Sequence, residues 1–472
     1  MLNVTFHGAA QEVTGSMHLI EADGRLIALD CGLFQGRRAE TIEKNQTFPI
    51  DPSKLHAVAL SHAHIDHCGR LPLLVRNGFT GNIYATPATR DLCALLLSDS
   101  AHIQQEDAKY LNKKRARKGQ PPVSPLYTEE DAVKTIALFH AISQSQTFWI
   151  TRRLKARFHH TGHMLGASSI ELEYLPPDGK PPVRLVFTGD VGRCDMPILR
   201  DPNPFPPCDY LITESTYGGR LHPPSADLKG QLAEIVNDTI ARRGKIIIPA
   251  FSVGRTQVIV YFLHQLQQEG LIPKIPTFID SPLAVNATEV FRLHPELFDS
   301  DARQFQRQTG DILGADNCHY IRDVEDSKKI NRRRNSCIVI SASGMCEAGR
   351  IRHHLKNNIR SDKNTILIVG FQAAHTLGRR LVERQPHIGI FGKKYKRKAQ
   401  VEVLNGFSAH ADRDELRSLL KPLMPHCKKA FLVHGEPDQM TQFQNHLRDD
   451  GFSDIEMPES GNRFELNGQP TP

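Results

Sequence analysis

Between Ser61 and Gly69 the chain reads SHAHIDHCG, which places three imidazoles and a carboxylate within six residues. The preceding AVALS is a short apolar run that predicts a buried strand, so the cluster falls on a strand-to-helix loop. Neutral imidazole and carboxylate are ligands for zinc-class ions. On a tight loop, residues two apart can face one ion while the next pair faces a second. His62 with His64, and Asp66 with His67, are such pairs. Four such groups held this closely would be costly without a cation. Further ligands must come from other elements, and His163 in HHTGHMLGASS, Asp190 in FTGD and His434 in LVHGEP each stand at a predicted strand end followed by small residues. Strand-end loops are where several elements can converge on one site.

Length and composition frame that site. At 472 residues, 39% hydrophobic and 24% charged, the chain is too long for one ordinary core and predicts two domains. No apolar run approaches the roughly 20 residues that cross a bilayer, and the first residues, MLNVTFHGAA, lack a basic and apolar leader. The expectation is a cytoplasmic chain with no membrane partner. Nine cysteines scattered from Cys31 to Cys427 without a CxxC pair suggest neither a disulfide framework nor a thiolate zinc site.

Lys and Arg number 59 against 52 Asp and Glu, a net charge of +7. The basic residues are clustered: KKRARK from Lys113, RRLKAR from Arg152, RRR from Arg332 and KKYKRK from Lys393. Any one cluster reads most simply as a solvated face; only a partner with many phosphates would use them together. The first lies in what reads as a Gly- and Pro-punctuated loop, either an RNA-binding arm or a solvated loop.

Along the chain, NVTFHGAA and RLIALDCG read as strands running into turns. TEEDAVKTIALF reads as a helix capped by Thr128. SSIELEYLPPDGKPPVRLVFTGD reads as a hairpin that ends at Asp190, and YLITEST as a strand that ends at Glu214. From KIIIPAF onward, apolar strands alternate with amphipathic helices, which argues for a parallel α/β unit. Near residue 390 the pattern returns to strands ending at histidines, in QVEVLNGFSAHAD and KKAFLVHGEP.

The motif HxHxDH with its downstream His, Asp and His resembles the metallo-β-lactamase superfamily, and the middle segment resembles the β-CASP nucleases within it. The resemblance runs from Asp30 to His434. It implies an α/β fold: a metallo-β-lactamase αββα sandwich, residues 1–214 and 391–472, with an inserted β-CASP α/β domain, residues 215–390, built around a mainly parallel sheet. A cleft between the two would suit a single strand.

Carried over by residue, the resemblance implies two zinc ions. His62, His64 and His163 would hold one, Asp66, His67 and His434 the other, and Asp190 would bridge them. Asp30 in LDCG would orient ligands without binding metal. Glu214 in TESTYG and His410 in FSAHAD match the motifs in which an acidic residue orients a general-acid histidine. His434 matches a position that is histidine in the RNA-processing branch and typically apolar in the DNA-repair branch. The implied reaction is endonucleolytic hydrolysis of single-stranded RNA, with a 5′-exonuclease mode open: two zinc ions would activate a hydroxide for in-line attack and the acid would protonate the leaving oxygen.

FSVGRTQ and SASGMCEAGR put Gly, Ser and Arg at strand-to-helix turns, where backbone N–H groups favour phosphate. Arg255, Ser343 and Gly344 are therefore candidate contacts to the substrate backbone. His375 stands where relatives often carry Glu-Gly before Thr-Leu-Gly. With no GxxG clamp ahead of the core and only NRFELNGQPTP after it, accessory RNA-binding modules are not expected, and sequence selectivity should be weak or supplied by a partner. A homodimer stays open. Two other classes compete: another hydrolase of the superfamily, such as a DNA nuclease or thioesterase, and a non-catalytic RNA-binding scaffold. A thioesterase predicts no large insert, and a scaffold predicts lost ligands, whereas every ligand position here is filled.

Overall fold

In the strand Leu154–His160 every second side chain is buried and those between are half-exposed, the alternation of a sheet with one face in a core. Its partners repeat the pattern. In the computed structural model, which describes residues 1–36, 38–222, 228–314, 316–370, 372–373, 375–404 and 406–466, the chain divides into two compact units. The first comprises residues 1–196, 201–221 and 409–472, and the second residues 197–200 and 222–408.

Two seven-stranded sheets make the first unit. One runs in the order Arg463–Glu465, Leu2–Gly8, Met17–Ala22, Arg25–Leu29, Leu55–Ala59, Asn82–Ala85, Phe139–Ala141. The other runs Ile455–Glu456, Lys429–Val433, Tyr210–Glu214, Val183–Phe187, Ser168–Tyr174, Leu154–His160, Thr147–Trp149. Val4, Phe6, Ile27 and Leu29 of the first interdigitate with Phe158, Leu172, Phe187 and Phe431 of the second in one buried cluster. On the outer face of the second sheet, Leu211 and Leu432 bury against Leu416 and Leu420 of the helix Arg413–Leu420 and Phe443 of the helix Pro437–Asp449. Val58 and Ile83 on the outer face of the first sheet are equally buried, and the helix Pro87–Ala116 touches its edge strand. The result is the αββα sandwich.

Strand direction positions the site. Arg25–Leu29 and Leu55–Ala59 are parallel neighbours, as are Val183–Phe187, Tyr210–Glu214 and Lys429–Val433. Parallel neighbours end on the same edge, so within each sheet the chain leaves these strands from one rim. Asp30, His62, Asp190, Glu214 and His434 are all in those exits.

The second unit holds a six-stranded sheet in the order Cys318–Tyr320, Thr277–Ile279, Ile338–Ser341, Ile246–Pro249, Thr365–Ile368, Gln400–Val403, parallel throughout. A separate hairpin pairs His387–Ile390 with Lys393–Lys396. Among the described residues, no helix is long and apolar enough to cross a membrane.

Several elements form as their sequences predict. Thr128 caps the helix Glu129–Ile136 in a reciprocal box with Asp131, and the segment from Ser168 to Phe187 is a hairpin. Two differ. Lys113, Lys114 and Arg115 are in the last turn of the helix Pro87–Ala116 rather than in a loop. Lys and Arg are good helix formers and complement the negative end of the helix dipole, so the helix persists until the Gly119 turn. The strand Gln400–Val403 does not run into His410. It adds to the second unit's sheet beside Thr365–Ile368, and His410 follows on a loop.

Candidate metal centre

Three ring nitrogens converge after the Leu55–Ala59 strand. His62 Nε2 lies 3.2 Å from His64 Nδ1, and His163 Nε2 lies 3.1 Å from the same atom. Asp190 Oδ2 is 3.4 Å from both Nε2 atoms. A second group faces its other oxygen: His67 Nε2 is 3.3 Å from Asp190 Oδ1 and 3.2 Å from His434 Nε2, which is 3.6 Å from Asp66 Oδ2. In each of two sets, His62, His64, His163, Asp190 and Asp66, His67, His434, the ligand atoms all lie within 4.8 Å of one another.

The surroundings set the tautomers. His67 donates its Nδ1 hydrogen to Asp30 Oδ2 at 2.7 Å, which leaves Nε2 as a lone pair aimed into the site. His163 Nδ1 lies 3.3 Å from the Ala409 carbonyl, which can only accept, and its Nε2 is freed in the same way. Buried ring nitrogens that aim lone pairs at one point repel unless a cation lies between them. Asp190 Oδ1 is likewise buried without a hydrogen-bond partner. Burial, and then the neighbouring His62, pushes His64 down to about 3, and burial lowers His62 and His163 also. These are neutral imidazoles, the form that binds metal. At His67 burial opposes charge, but Asp190 and Asp30 outweigh it and raise its pKa well above the ordinary value. The carboxylates thus call for positive charge where a cation would supply it. The donor set fits metal of the zinc class, with one Asp190 oxygen facing each group of imidazoles.

Local folding puts each group there. Asp30 has a left-handed backbone (φ 61°) and is fully buried; its Oδ1 accepts from Ser61 N–H at 2.8 Å and its Oδ2 from Ser61 Oγ at 2.9 Å. It ties the end of one strand to the start of the histidine loop. Gly32 lets the Asp66 segment close in, because a Cβ there would stand 1.6 Å from the Asp66 carbonyl oxygen. His434 is also left-handed (φ 52°), and Thr216 Oγ1 lies 3.0 Å from its Nδ1. The parallel pairing of Glu214 with Val433 brings Glu214 beside His434.

Glu214 accepts the Val191 N–H through Oε1 at 2.5 Å, and its Oε2 is 3.1 Å from His410 Nδ1. His410 Nε2 then points toward Asp190 Oδ2, 4.0 Å away, with 21% of the side chain exposed. Burial disfavours its charged form, yet Glu214 and Asp190 hold its pKa up at about 9. These two carboxylates favour the protonated form of an imidazole that stands at the rim of the metal cluster.

Arg255, Ser343 and Gly344 belong to the second unit and hold its loops together. Arg255 Nη1 donates to the Val369 carbonyl at 3.0 Å, and its guanidinium lies over Phe407. Ser343 Oγ accepts from the N–H groups of Glu347 and Ala348, so those donors are already used. Gly344 packs under Phe251, and its carbonyl accepts from Gln372. His375 is exposed with φ 68°. Sequence reasoning missed Ser16, Ser61 and Thr216, whose hydroxyls contact Asp30 or His434. Ser61 and Thr216 each adjoin a motif residue, the only signal they carry.

Facing sheets whose parallel strand ends gather histidine and aspartate define a metallo-hydrolase. Residues 10–249 match the metallo-beta-lactamase superfamily, 256–381 the Beta-Casp domain and 394–458 the Zn-dependent metallo-hydrolase RNA specificity domain. The chain is 33% identical to Ribonuclease TTHA0252 of Thermus thermophilus, covering 92% of this chain and 93% of that one. It is 31% identical to Transcription termination factor FttA of Methanosarcina mazei, covering 92% and 67%. It is 30% identical to the RNase J-like protein of Methanocaldococcus jannaschii, covering 94% of each. A crystal structure of an Enterococcus faecalis protein of unknown function shares the fold at 12% identity, with a TM-score of 0.57 over 98% of this chain and 99% of that one. The chain therefore belongs to the β-CASP family of the metallo-β-lactamase superfamily and is a hydrolase of that class.

Proposed function

We propose that the protein is a zinc-dependent ribonuclease that cuts single-stranded RNA internally, with two zinc ions and with His410 as general acid. The observation that carries the reading is the His410–Glu214 pair at the rim of the metal cluster, at 3.1 Å. RNA as substrate is supported by the ribonuclease names of two relatives and by the match to an RNA specificity domain. His62, His64 and His163 would hold one ion, Asp66, His67 and His434 the other, and Asp190 would be shared. Metal held by these residues would supply a hydroxide near neutral pH and offset charge on the phosphoryl group. Glu214 accepts from His410 Nδ1, which turns the Nε2 hydrogen toward the cluster. From that position His410 can hand a proton to a leaving 3′-oxygen. Such an acid contributes about 10²–10⁴-fold.

The test is cleavage of end-labelled single-stranded RNA and of its DNA counterpart, by protein of measured zinc content, beside His410→Ala and Asp66→Ala. The expected result is internal cuts in RNA, DNA spared, and both variants inactive, with zinc kept by the first and reduced in the second. Wild type that holds two zinc ions yet cuts neither polymer would overturn the reading.

A further inference from the structure

The metal centre uses none of the basic residues that gather on the second unit. The hairpin of His387–Ile390 and Lys393–Lys396 turns through Phe391 and Gly392, with φ 50° and 74°. Positive φ is routine for Gly392 and unfavourable for a bulky aromatic, so Phe391 holds a strained backbone while the residue stays 43% exposed. The ring serves no core. Its neighbours are the Arg352 guanidinium, 4.3 Å from the centroid, and the His353 ring at 4.7 Å.

Alternation divides the hairpin into two faces. Ile388, Ile390 and Tyr395 turn into the second unit's core, and Lys394 and Lys396 stand on the opposite, exposed face; Lys393, paired with Ile390 on the Tyr395 side, is exposed at the turn beside Phe391. Lys394 stands opposite Gly389, where a Cβ would meet nothing within 4 Å, so the exposed face is open beside it. The hairpin is locked to a distant segment: the N–H groups of Lys398 and Ala399 both donate to the Ile359 carbonyl, at 2.9 and 3.0 Å. That bond brings Arg360 over Tyr395 at 4.8 Å, as Arg352 lies over Phe391. Two guanidiniums, Arg352 of the helix Ile351–Asn358 and Arg360 of the turn after it, thereby lie over two hairpin rings.

No Asp or Glu occurs in residues 348–361 or 384–401, the two segments that build this face. Among the described residues, Lys393, Lys394, Lys396 and Lys398 make no ion pair. An unneutralised cluster of cations around an exposed ring combines the two features that bind a single strand, charge for phosphates and a π-face for an unstacked base. A helical duplex offers no unstacked base to the ring.

We propose that this hairpin face is a second binding surface for single-stranded RNA, with phosphates on Lys393, Lys394 and Lys396 and a base stacked on Phe391. The proposal rests on the ribonuclease reading and adds to it a contact outside the reacting atoms. The surface raises affinity for substrate without entering the chemistry.

The experiment is anisotropy of a labelled oligouridylate with the full chain over a series of KCl concentrations. It compares Lys393→Gln/Lys394→Gln/Lys396→Gln and Phe391→Ala with the parent, all in a His410→Ala background that stops cleavage. The triple variant should bind at least about tenfold more weakly, and the slope of log Kd against log salt should fall by about 2, three single-strand contacts at about 0.7 each. Phe391→Ala should weaken binding about tenfold with the slope unchanged. With His410 intact, both should raise KM and leave kcat within about twofold. The proposal is overturned if affinity and slope do not change, or if an RNA duplex binds as tightly and Phe391→Ala has no effect. Wild type that cuts RNA while the hairpin variants bind normally defeats this proposal alone; wild type that neither binds nor cuts RNA defeats the ribonuclease reading and this one with it.

Discussion

His67 and Asp30, 37 residues apart in the chain, share a hydrogen at 2.7 Å with both side chains sealed from solvent. Asp30 Oδ2 also receives the Ser61 hydroxyl, so one carboxylate sets both the tautomer of a metal-facing imidazole and the path of the loop that also carries His62, His64 and Asp66. Asp30→Asn keeps the shape but can offer a single acceptor oxygen. Zinc affinity should fall about 10- to 100-fold, as for other partners of ligating histidines, while the far-ultraviolet dichroism stays as in wild type. Competition with a chromophoric chelator measures it, and unchanged affinity would remove Asp30 from the site.

Glu214→Gln tests positioning separately from metal binding. Gln can still accept the Val191 N–H but no longer carries the charge that stabilises protonated His410. The expected outcome is two zinc ions retained, KM for RNA within about threefold of wild type and kcat lowered about tenfold or more. A KM effect with kcat intact would assign Glu214 to binding instead.

Gly32→Ala tests the close approach of two loops. The added Cβ would lie 1.6 Å from the Asp66 carbonyl oxygen, backbone that cannot turn aside as a side chain could. Overpacking of this kind costs about 1–3 kcal/mol, so the melting temperature should drop measurably. Because the displaced segment carries Asp66 and His67, zinc content should fall as well. Gly370→Ala, with nothing within 4 Å of its Cβ and, like Gly32, no positive φ, is the control without a close neighbour.

In the second unit, Asp280 is fully buried and receives Arg350 Nη1 at 2.7 Å, His354 Nε2 at 2.6 Å and the Ser327 hydroxyl. Burial alone would raise its pKa, but these donors, His354 first, hold it below the usual carboxylate range. A carboxyl whose folded pKa is depressed adds stability above its unfolded pKa, about 4, and loses it as pH falls through the folded value. Asp280→Asn should therefore cost about 3 kcal/mol near neutrality, since it leaves buried donors uncompensated. The gap between wild type and variant should narrow as pH falls below about 4. Urea melts across that range measure it, and a gap independent of pH would mean that packing, not charge, holds the network.

Much of the centre is visible in the chain because metal chemistry restricts residue type. Few residues ligate zinc-class ions, so His62, His64, Asp66 and His67 on one loop, and His163, Asp190 and His434 after apolar runs, stand out from a globular background. Their convergence is not local. The parallel register that sets Glu214 against Val433 makes neighbours of groups about half the chain apart, and only sheet pairing does that. The serine and threonine that orient the ligands escaped notice because a hydroxyl is common everywhere and gains meaning only from the acceptor it meets.

Basic segments show the same limit from the other side. KKRARK reads as a loop by its punctuation, but helix propensity and the dipole carry the Pro87–Ala116 helix into it. KKYKRK reads as one solvated run, yet strand alternation turns Tyr395 inward and Lys394 and Lys396 outward, and two bonds to the Ile359 carbonyl go with Arg360 stacked over Tyr395. By itself the sequence determined which chemistry this chain carries, because ligand type and strand period are properties of residues a few positions apart. Only the tertiary structure decided which of those groups meet, because contacts between distant segments depend on strand direction, register and the burial that closes the two sheets on each other.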